Sequence, residues 1–280
     1  MLTYFQAILL GAIQGLTELF PISSLGHTVI LPSLLGWNIN QADPFFVSFL
    51  VLTHLATALV LFLFFFQDWV RIIKGFFSTF DTKKIGANTY SRLAWLIIVA
   101  TIPAGIMGLL FQKKFEALFA TPSIAALFLI GNGFMLLLAE YLSRKCVKTG
   151  DSEDGRIARM KWISAIGIGL MQCLALLPGF SRTGATLSGG LLSGLNRADA
   201  ARFAFLLATP IIVAAAILKV PHLVIGGGQA LLVALSGALS AAVFAYIAVK
   251  FLTRYFKSNS LTPFAVYCIL AGGVALAVLG

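Results

Sequence analysis

Glu18, Ser24, His27 and Arg182 are chemically out of place, since each stands in or beside a run of apolar side chains. An ionisable group at membrane depth costs a few kcal/mol or more and marks a functional site by default. Glu18 is the only acidic residue in the middle of an apolar segment, and Gln14, one helical turn before it, faces the same way. Ser24 and His27 are three residues apart at a helix start, a spacing that suits a nucleophile with its base or a cap with a hydrogen bond. Arg182 is the only cation in an apolar context, and its planar fork matches phosphate oxygens bidentately. The structural alternative for Glu18 and Arg182 is an ion pair that locks two halves of the chain together.

These residues lie in two stretches, Gln14 to His27 and Gln172 to Thr186. Ser23, Ser24 and Gly26 in one, and Ser181, Thr183 and Gly184 in the other, stand where a helix begins. Free N–H groups at a helix start make an anion site. Two such starts converging on one point, with an arginine and several hydroxyls, suit phosphate best, and a carboxylate-bearing solute is the other anion that fits.

The elements around these stretches belong in lipid. The chain is 59% hydrophobic and 11% charged, against about 25% charged residues in a soluble domain. Its apolar runs approach 20 residues, enough to cross a ~30 Å hydrocarbon core. No basic region or small-residue cleavage site precedes the first run, so a removable signal peptide is not expected. The net charge of +10 fits basic cytoplasmic loops better than nucleic acid. Cys146, Cys173 and Cys268 form neither a disulfide framework nor a CxxC metal pattern.

In chain order, Leu2 to Leu19 is apolar and is broken at Phe20-Pro21. Ile22 to Gly26 reads as a loop and His27 to Leu35 as a short apolar piece. Spans follow at Pro44 to Phe66, Leu93 to Phe111 (with Pro103) and Pro122 to Leu142, and Gln67 to Ser91 reads as a polar, basic loop. Ser143 to Lys161, with a mixed-charge patch at Asp151 to Arg156, is the polar boundary between halves. Trp162 to Leu177 is then broken at Pro178-Gly179, Phe180 to Gly184 reads as a loop, and Ala185 to Leu195 is short. Further spans are expected at Phe203 to Val220 (with Pro210), Ala230 to Leu252 and Pro263 to Leu279.

The order is the same twice: long piece, proline break, short piece, three spans. An offset of 158 aligns Gly11 with Gly169, Gln14 with Gln172, Ser23 with Ser181, Gly26 with Gly184, Thr28 with Thr186 and Gly36 with Gly194. If each broken pair is re-entrant, three spans carry the second half to the opposite face, which makes an inverted repeat. That topology puts 16 basic residues on one side and 3 on the other, with Arg182 inside. Full spanning by the long pieces would give 12 and 7. Basic residues favour the cytoplasmic side, so the re-entrant topology is preferred, with both termini outside the cytoplasm. The expected fold is an all-α polytopic membrane protein, one integral domain over 1–280. Its pseudo-repeats, 1–145 and 160–280, are joined by a cytoplasmic polar loop.

At these residues the chain resembles the undecaprenyl-diphosphate phosphatase, or bacitracin-resistance, family over essentially its whole length. Two motifs carry the resemblance: Glu/Gln-x-x-x-Glu with Pro-x-Ser-Ser-x-Gly-His, here Gln14 to His27, and Pro-Gly-x-Ser-Arg-x-x-x-Thr, here Pro178 to Thr186. The resemblance implies a hydrolase of the bacterial cytoplasmic membrane, working at its outer face. Such an enzyme takes the terminal phosphate from a C55 polyprenyl diphosphate and recycles the lipid carrier for peptidoglycan and cell-wall synthesis. It also implies two re-entrant regions and a divalent cation, Mg²⁺ or Ca²⁺. By motif position Glu18, Ser24, His27 and Arg182 are catalytic. Gln14, Ser23, Gly26, Gly179, Ser181, Thr183 and Thr186 line the site or contact phosphate, and Glu18 with Gln14 meets the metal. Many members have Glu where this chain has Gln14, which keeps an oxygen ligand but loses a charge. Leu25 stands where threonine is commoner.

The expected chemistry is in-line attack by Ser24 with His27 or Glu18 taking its proton; direct attack by water is the rival. From another class, a lipid or anion transporter, or flippase, would use the same inverted repeat without a nucleophile. Partners are the prenyl lipid and the membrane, with no nucleic acid, and the sequence leaves a homodimer open. His54, beside Thr53 and Thr57, reads as a packing histidine more than a cavity residue, and His222 as a solvated one.

Overall fold

The computed structural model describes residues 2–41, 43–86, 88–118, 121–143, 153–219 and 226–279. Among these, all regular structure is helical: α1 (Tyr4–Leu19), α2 (Ser24–Leu34), α3 (Pro44–Phe64), α4 (Phe66–Thr82), α5 (Thr89–Leu118), α6 (Pro122–Ser143), α7 (Glu153–Ala158), α8 (Trp162–Gln172), α9 (Arg182–Leu192), α10 (Arg197–Lys219), α11 (Gly228–Tyr255) and α12 (Thr262–Leu279). A 3₁₀ turn, Cys173–Leu176, continues α8.

Among the described residues, six helices are long and apolar enough to cross a membrane: α3, α5 as far as Phe111, α6, α10, α11 and α12. They are the six expected spans, although α10 begins at Arg197, ahead of the expected Phe203. Helices α1, α2, α8 and α9 are shorter, and all four contact one another or the spans closely. Helix starts also differ from the expectation: Ser24 to Gly26 and Arg182 to Gly184 are the first residues of α2 and α9, not loop. Ser23 and Ser181 cap these starts, each accepting the N–H of the residue three positions on, Gly26 at 3.2 Å and Gly184 at 3.1 Å.

The stretch expected as a polar loop after α3 is helix α4. Its apolar and charged residues are interleaved at helical spacing, with Trp69, Ile72 and Phe76 against Asp68, Arg71 and Lys74. Averaging along such a segment hides the amphipathic face that makes it a helix. Helix α5 also runs on beyond the expected end of its span at Phe111, which is non-helical (φ −118°, ψ 15°). Of the boundary loop, 144–152 lies outside the described residues, as do Cys146, His222 and the side chains of Lys113 and Lys114.

Glycines set the closest approaches. A Cβ on Gly11 would stand 2.1 Å from Gly237 O, and one on Gly15 2.2 Å from Ala241 O, so α1 lies directly on the backbone of α11. A Cβ on Gly169 would stand 2.5 Å from Ala100 O, so α8 lies in the same way on α5. Between α6 and α12 the contact is reciprocal: Gly133 meets Ala265 and Ile269, and Gly272 meets Ala126 and Ile130. Small residues allow this where lipid gives no hydrophobic drive to helix association.

Helix ends are tied by charges. Arg156 Nε donates to Asp199 at 2.5 Å, Arg202 Nη2 donates to Asp68 at 2.9 Å, and Arg197 pairs with buried Glu140. Glu140 also accepts the N–H of Leu261 at 3.1 Å.

Gly15→Leu should therefore lower thermal stability in detergent, with overpacking at about 1–3 kcal/mol, or prevent folding. Gly167→Ala, with nothing within 4 Å, should leave the melting temperature unchanged or slightly raised. Scanning fluorimetry of both variants checks the contrast.

Candidate active site

The site is assembled at the C-terminal end of α1. A helix leaves its last carbonyls without intrahelical partners, and where they are buried they need donors from elsewhere in the protein. Here the second motif supplies the donors. Thr183 Oγ1 donates to Glu18 O at 2.9 Å, and Ser181 Oγ donates to Phe20 O at 3.4 Å. Asn132 Nδ2, from the middle of α6, donates to Pro21 O at 2.8 Å. The same asparagine accepts the Ser181 N–H at 3.0 Å through Oδ1. The loops also touch glycine to glycine: a Cβ on Gly26 would stand 3.1 Å from the Gly179 Cα, and Gly179 itself has φ +103°.

Glu18 is at the centre and is buried. Its Oε2 accepts the Ser24 hydroxyl in a short hydrogen bond and accepts Gln14 Nε2 at 3.1 Å. His54 Nε2 stands 3.3 Å from the same oxygen, and Arg182 Nη1 stands 3.5 Å from Oε1. Since His54 Nδ1 donates to Leu50 O at 2.8 Å, both its ring nitrogens face oxygen acceptors. Four side chains from α1, α2, α3 and α9 thus meet one carboxylate. A charge-assisted bond has a nitrogen–oxygen distance of ~2.7–2.9 Å, so the arginine is held near Glu18 without being fully engaged by it. Glu18, Ser23, Ser24, Leu25, Ala175, Phe180, Ser181 and Arg182 line the cleft that opens here.

His27 lies elsewhere. Its Nδ1–H donates to Ser23 O at 2.6 Å, and its Nε2 accepts the Tyr267 hydroxyl at 2.7 Å, with the two rings stacked. Both ring nitrogens are spent, and Ser24 turns to Glu18 instead. Ser23 is one of two non-glycine residues with positive φ among those described, at φ +69°. Such a conformation costs ~1–3 kcal/mol and persists when its surroundings hold it. His27, bonded to the Ser23 carbonyl, is part of what holds it.

The remaining expected residues act through the backbone in this state. Thr186 Oγ1 donates to Arg182 O at 2.8 Å, within its own helix. Ser181 and Thr183 spend their hydroxyls on the end of α1. Asn132 and Tyr267 are the contacts that sequence reasoning missed, and His54, read from the sequence as a packing histidine more than a cavity residue, faces Glu18. The available signal was polarity at the centre of an apolar span, and it does not say which way such a residue faces.

As to a metal, no group of three or more His, Cys, Asp or Glu that could hold one occurs among the described residues. Gln14 Oε1 is buried, has no hydrogen-bond partner among those residues, and belongs to the amide whose nitrogen donates to Glu18. A free amide oxygen beside a carboxylate suits an oxygen-preferring cation whose other ligands come from elsewhere.

Fold and site together define a multi-helix membrane protein with a buried serine–carboxylate–arginine centre. Comparison with known proteins narrows this class. The family model of bacitracin resistance protein BacA matches residues 7–274, and this chain belongs to that family. It is 46% identical over 286 residues to an undecaprenyl-diphosphatase of Gluconacetobacter diazotrophicus, covering all of this chain and 98% of that protein. It is 44% identical over 300 residues to one of Mycolicibacterium paratuberculosis, covering 98% of this chain and 97% of the relative. An undecaprenyl-diphosphatase 2 of Chromobacterium violaceum is 46% identical over 278 residues, covering 97% of each.

Substitutions at two positions separate the histidines. His54→Leu should lower kcat by about 10- to 100-fold through loss of Glu18 positioning, with His54→Gln retaining much of the rate. Tyr267→Phe, which removes one bond to His27, should cost less than about tenfold. Steady-state phosphate release under matched detergent conditions gives both numbers.

Proposed function

We propose that this protein removes the terminal phosphate of undecaprenyl diphosphate, releasing undecaprenyl phosphate and recycling the carrier for peptidoglycan and other envelope polymers. The observation that carries this reading is the Ser24 hydroxyl donating to Glu18 Oε2 while Arg182 waits at the other oxygen of the same carboxylate. A nucleophile needs a base in hydrogen-bond reach, and a transferring phosphoryl group needs a cation close by. A transporter would need neither the serine nor its alignment on the carboxylate.

In this account the diphosphate enters the cleft while the prenyl chain stays in lipid. Arg182 turns from Glu18 to the phosphates, joined by the first N–H groups of α9 and α2. Ser24 Oγ attacks the terminal phosphorus in line, and its proton passes to Glu18. The bond to the bridging oxygen breaks, and undecaprenyl phosphate departs with that electron pair and takes up the proton. Water then attacks the phosphoserine with Glu18 again as base, freeing phosphate and restoring Ser24. Geometry favours Glu18 over His27 as base, because His27 is committed to Ser23 and Tyr267. Gln14 Oε1 and Glu18 would hold a divalent cation, Mg²⁺ or Ca²⁺, which would neutralise phosphate charge.

The same reading makes the two halves an inverted repeat with α1–α2 and α8–α9 re-entrant. The glycine contacts support it. Gly11 and Gly169, equivalent by sequence offset, pack on α11 and α5, the equivalent spans of opposite halves. The reciprocal contacts of Gly133 and Gly272 are the kind that a two-fold axis between α6 and α12 would produce. With the basic side cytoplasmic, the protein lies in the bacterial cytoplasmic membrane, with both termini and the mouth of the site outside. The partners are the lipid substrate and the bilayer. Nucleic acid has no place in the account, and the site needs no second subunit.

Purified protein should release phosphate from a polyprenyl diphosphate in a reaction that chelation suppresses and Mg²⁺ or Ca²⁺ restores. Ser24→Ala should lose more than about 10³-fold, and Arg182→Ala at least about 10²-fold, both remaining folded. Full activity in Ser24→Ala would leave water as the attacking group. No release by folded parent protein under any ion would return the site to transport, tested by lipid translocation in vesicles.

A further inference from the structure

Asn132 lies in none of the motifs that define the site. It is fully buried at the middle of α6, a helix otherwise fit to cross lipid. Every polar group of its amide is spent. Nδ2 donates to Pro21 O at 2.8 Å and contacts Cys268 Sγ at 3.3 Å, and Oδ1 accepts the Ser181 N–H at 3.0 Å. Pro21 follows the Glu18 helix and precedes Ser24, and Ser181 immediately precedes Arg182. One side chain therefore joins the backbone of the loop that presents the nucleophile and base to the backbone of the loop that presents the cation.

Its surroundings fit a spacer of fixed length. A Cβ on Gly184 would come within 3.1 Å of Asn132 Oδ1 and 3.3 Å of Pro21 O, so α9 begins flush against the asparagine. The two groups it joins, a carbonyl after a helix end and an N–H at a helix cap, have no partner within their own helices. Removing the amide would leave the buried Ser181 N–H unsatisfied and the Pro21 carbonyl with only the weak Cys268 thiol donor at 3.9 Å, and such losses are costly at membrane depth. The remaining ties between the loops, from Thr183 Oγ1 and Ser181 Oγ, reach only the α1 side.

We propose that Asn132 is a positioning residue for the phosphoryl-transfer reaction: it sets the distance and angle between the Glu18–Ser24 arm and the Arg182 arm, acting through Pro21 and Ser181. It touches no reacting atom. The inference rests on the phosphatase reading for its kinetic arm and on the structure alone for its exchange arm.

The test compares parent protein with Asn132→Ala and Asn132→Asp by kinetics, hydrogen exchange and melting temperature. The aspartate is nearly isosteric and keeps the acceptor for Ser181 N–H while losing the donor to Pro21. Expected in Asn132→Ala is a fall in kcat of about tenfold or more, since small misplacement of reacting groups is expensive. Backbone exchange should rise specifically in peptides spanning 20–27 and 180–186. Asn132→Asp should loosen the 20–27 peptide alone and also lose rate; it carries the test if the alanine variant does not fold. A kcat within twofold of the parent in a folded variant would overturn the proposal, even with a lowered melting temperature. So would a rise in exchange spread evenly over the helices, because both belong to a packing residue. If parent protein released no phosphate, the phosphatase reading would fall, and the exchange pattern would still decide whether Asn132 joins the loops.

Discussion

Burial of the Glu18 carboxylate is the constraint on which the other features of the site depend. An ionised carboxylate out of water is destabilising by several kcal/mol unless hydrogen bonds and a cation compensate. Glu18 has both: Ser24, Gln14 and His54 at one oxygen and Arg182 at the other. The groups that make the charge tolerable are also those that phosphoryl transfer needs. Breaking α1 at Phe20-Pro21 puts the carboxylate at a helix end, and the break exposes carbonyls that the second motif must then satisfy. Site and inter-loop packing are therefore one solution to the problem of buried polar backbone.

Conformational demands follow from that arrangement. Two helix starts must approach the same point, which requires Gly26 against Gly179 and Gly184 against Asn132. Ser23 is driven to positive φ so that Ser24 can face the carboxylate. His27 and Tyr267 secure that turn from α12, a span remote in sequence. Residues far from the reacting atoms thus hold the geometry, which is why a short motif alone cannot make this site.

The sequence reveals the spans and the centre because both are contrasts in polarity. Apolar runs of helical length announced α3, α5, α6 and α10 to α12, and Glu18, Ser24 and Arg182 stood out against such runs. Helix α4 was missed because its contrast runs around the helix, not along the chain. The pairing of Ser24 with His27 followed from helical spacing, but at a helix start the imidazole bonds back to the capping carbonyl, and spacing alone does not foresee that. His54 and Asn132 were polar residues in spans, visible as such, but only tertiary packing decides that one faces Glu18 and the other the two loops. Gln172, aligned with Gln14, is buried with neither amide atom hydrogen-bonded among the described residues. By the same sequence offset Leu176 aligns with Glu18, so the two stretches are chemically unlike at the position that matters most.

The central claim is that the Ser24 hydroxyl, aligned by Glu18, is the attacking group. Its most direct test is rapid acid quench of the protein with a polyprenyl diphosphate radiolabelled at the terminal phosphate, followed by peptide mapping. The account predicts label on Ser24 that appears before free phosphate and decays as phosphate accumulates. Phosphate formed at the full single-turnover rate with no protein-bound label at any time would contradict it.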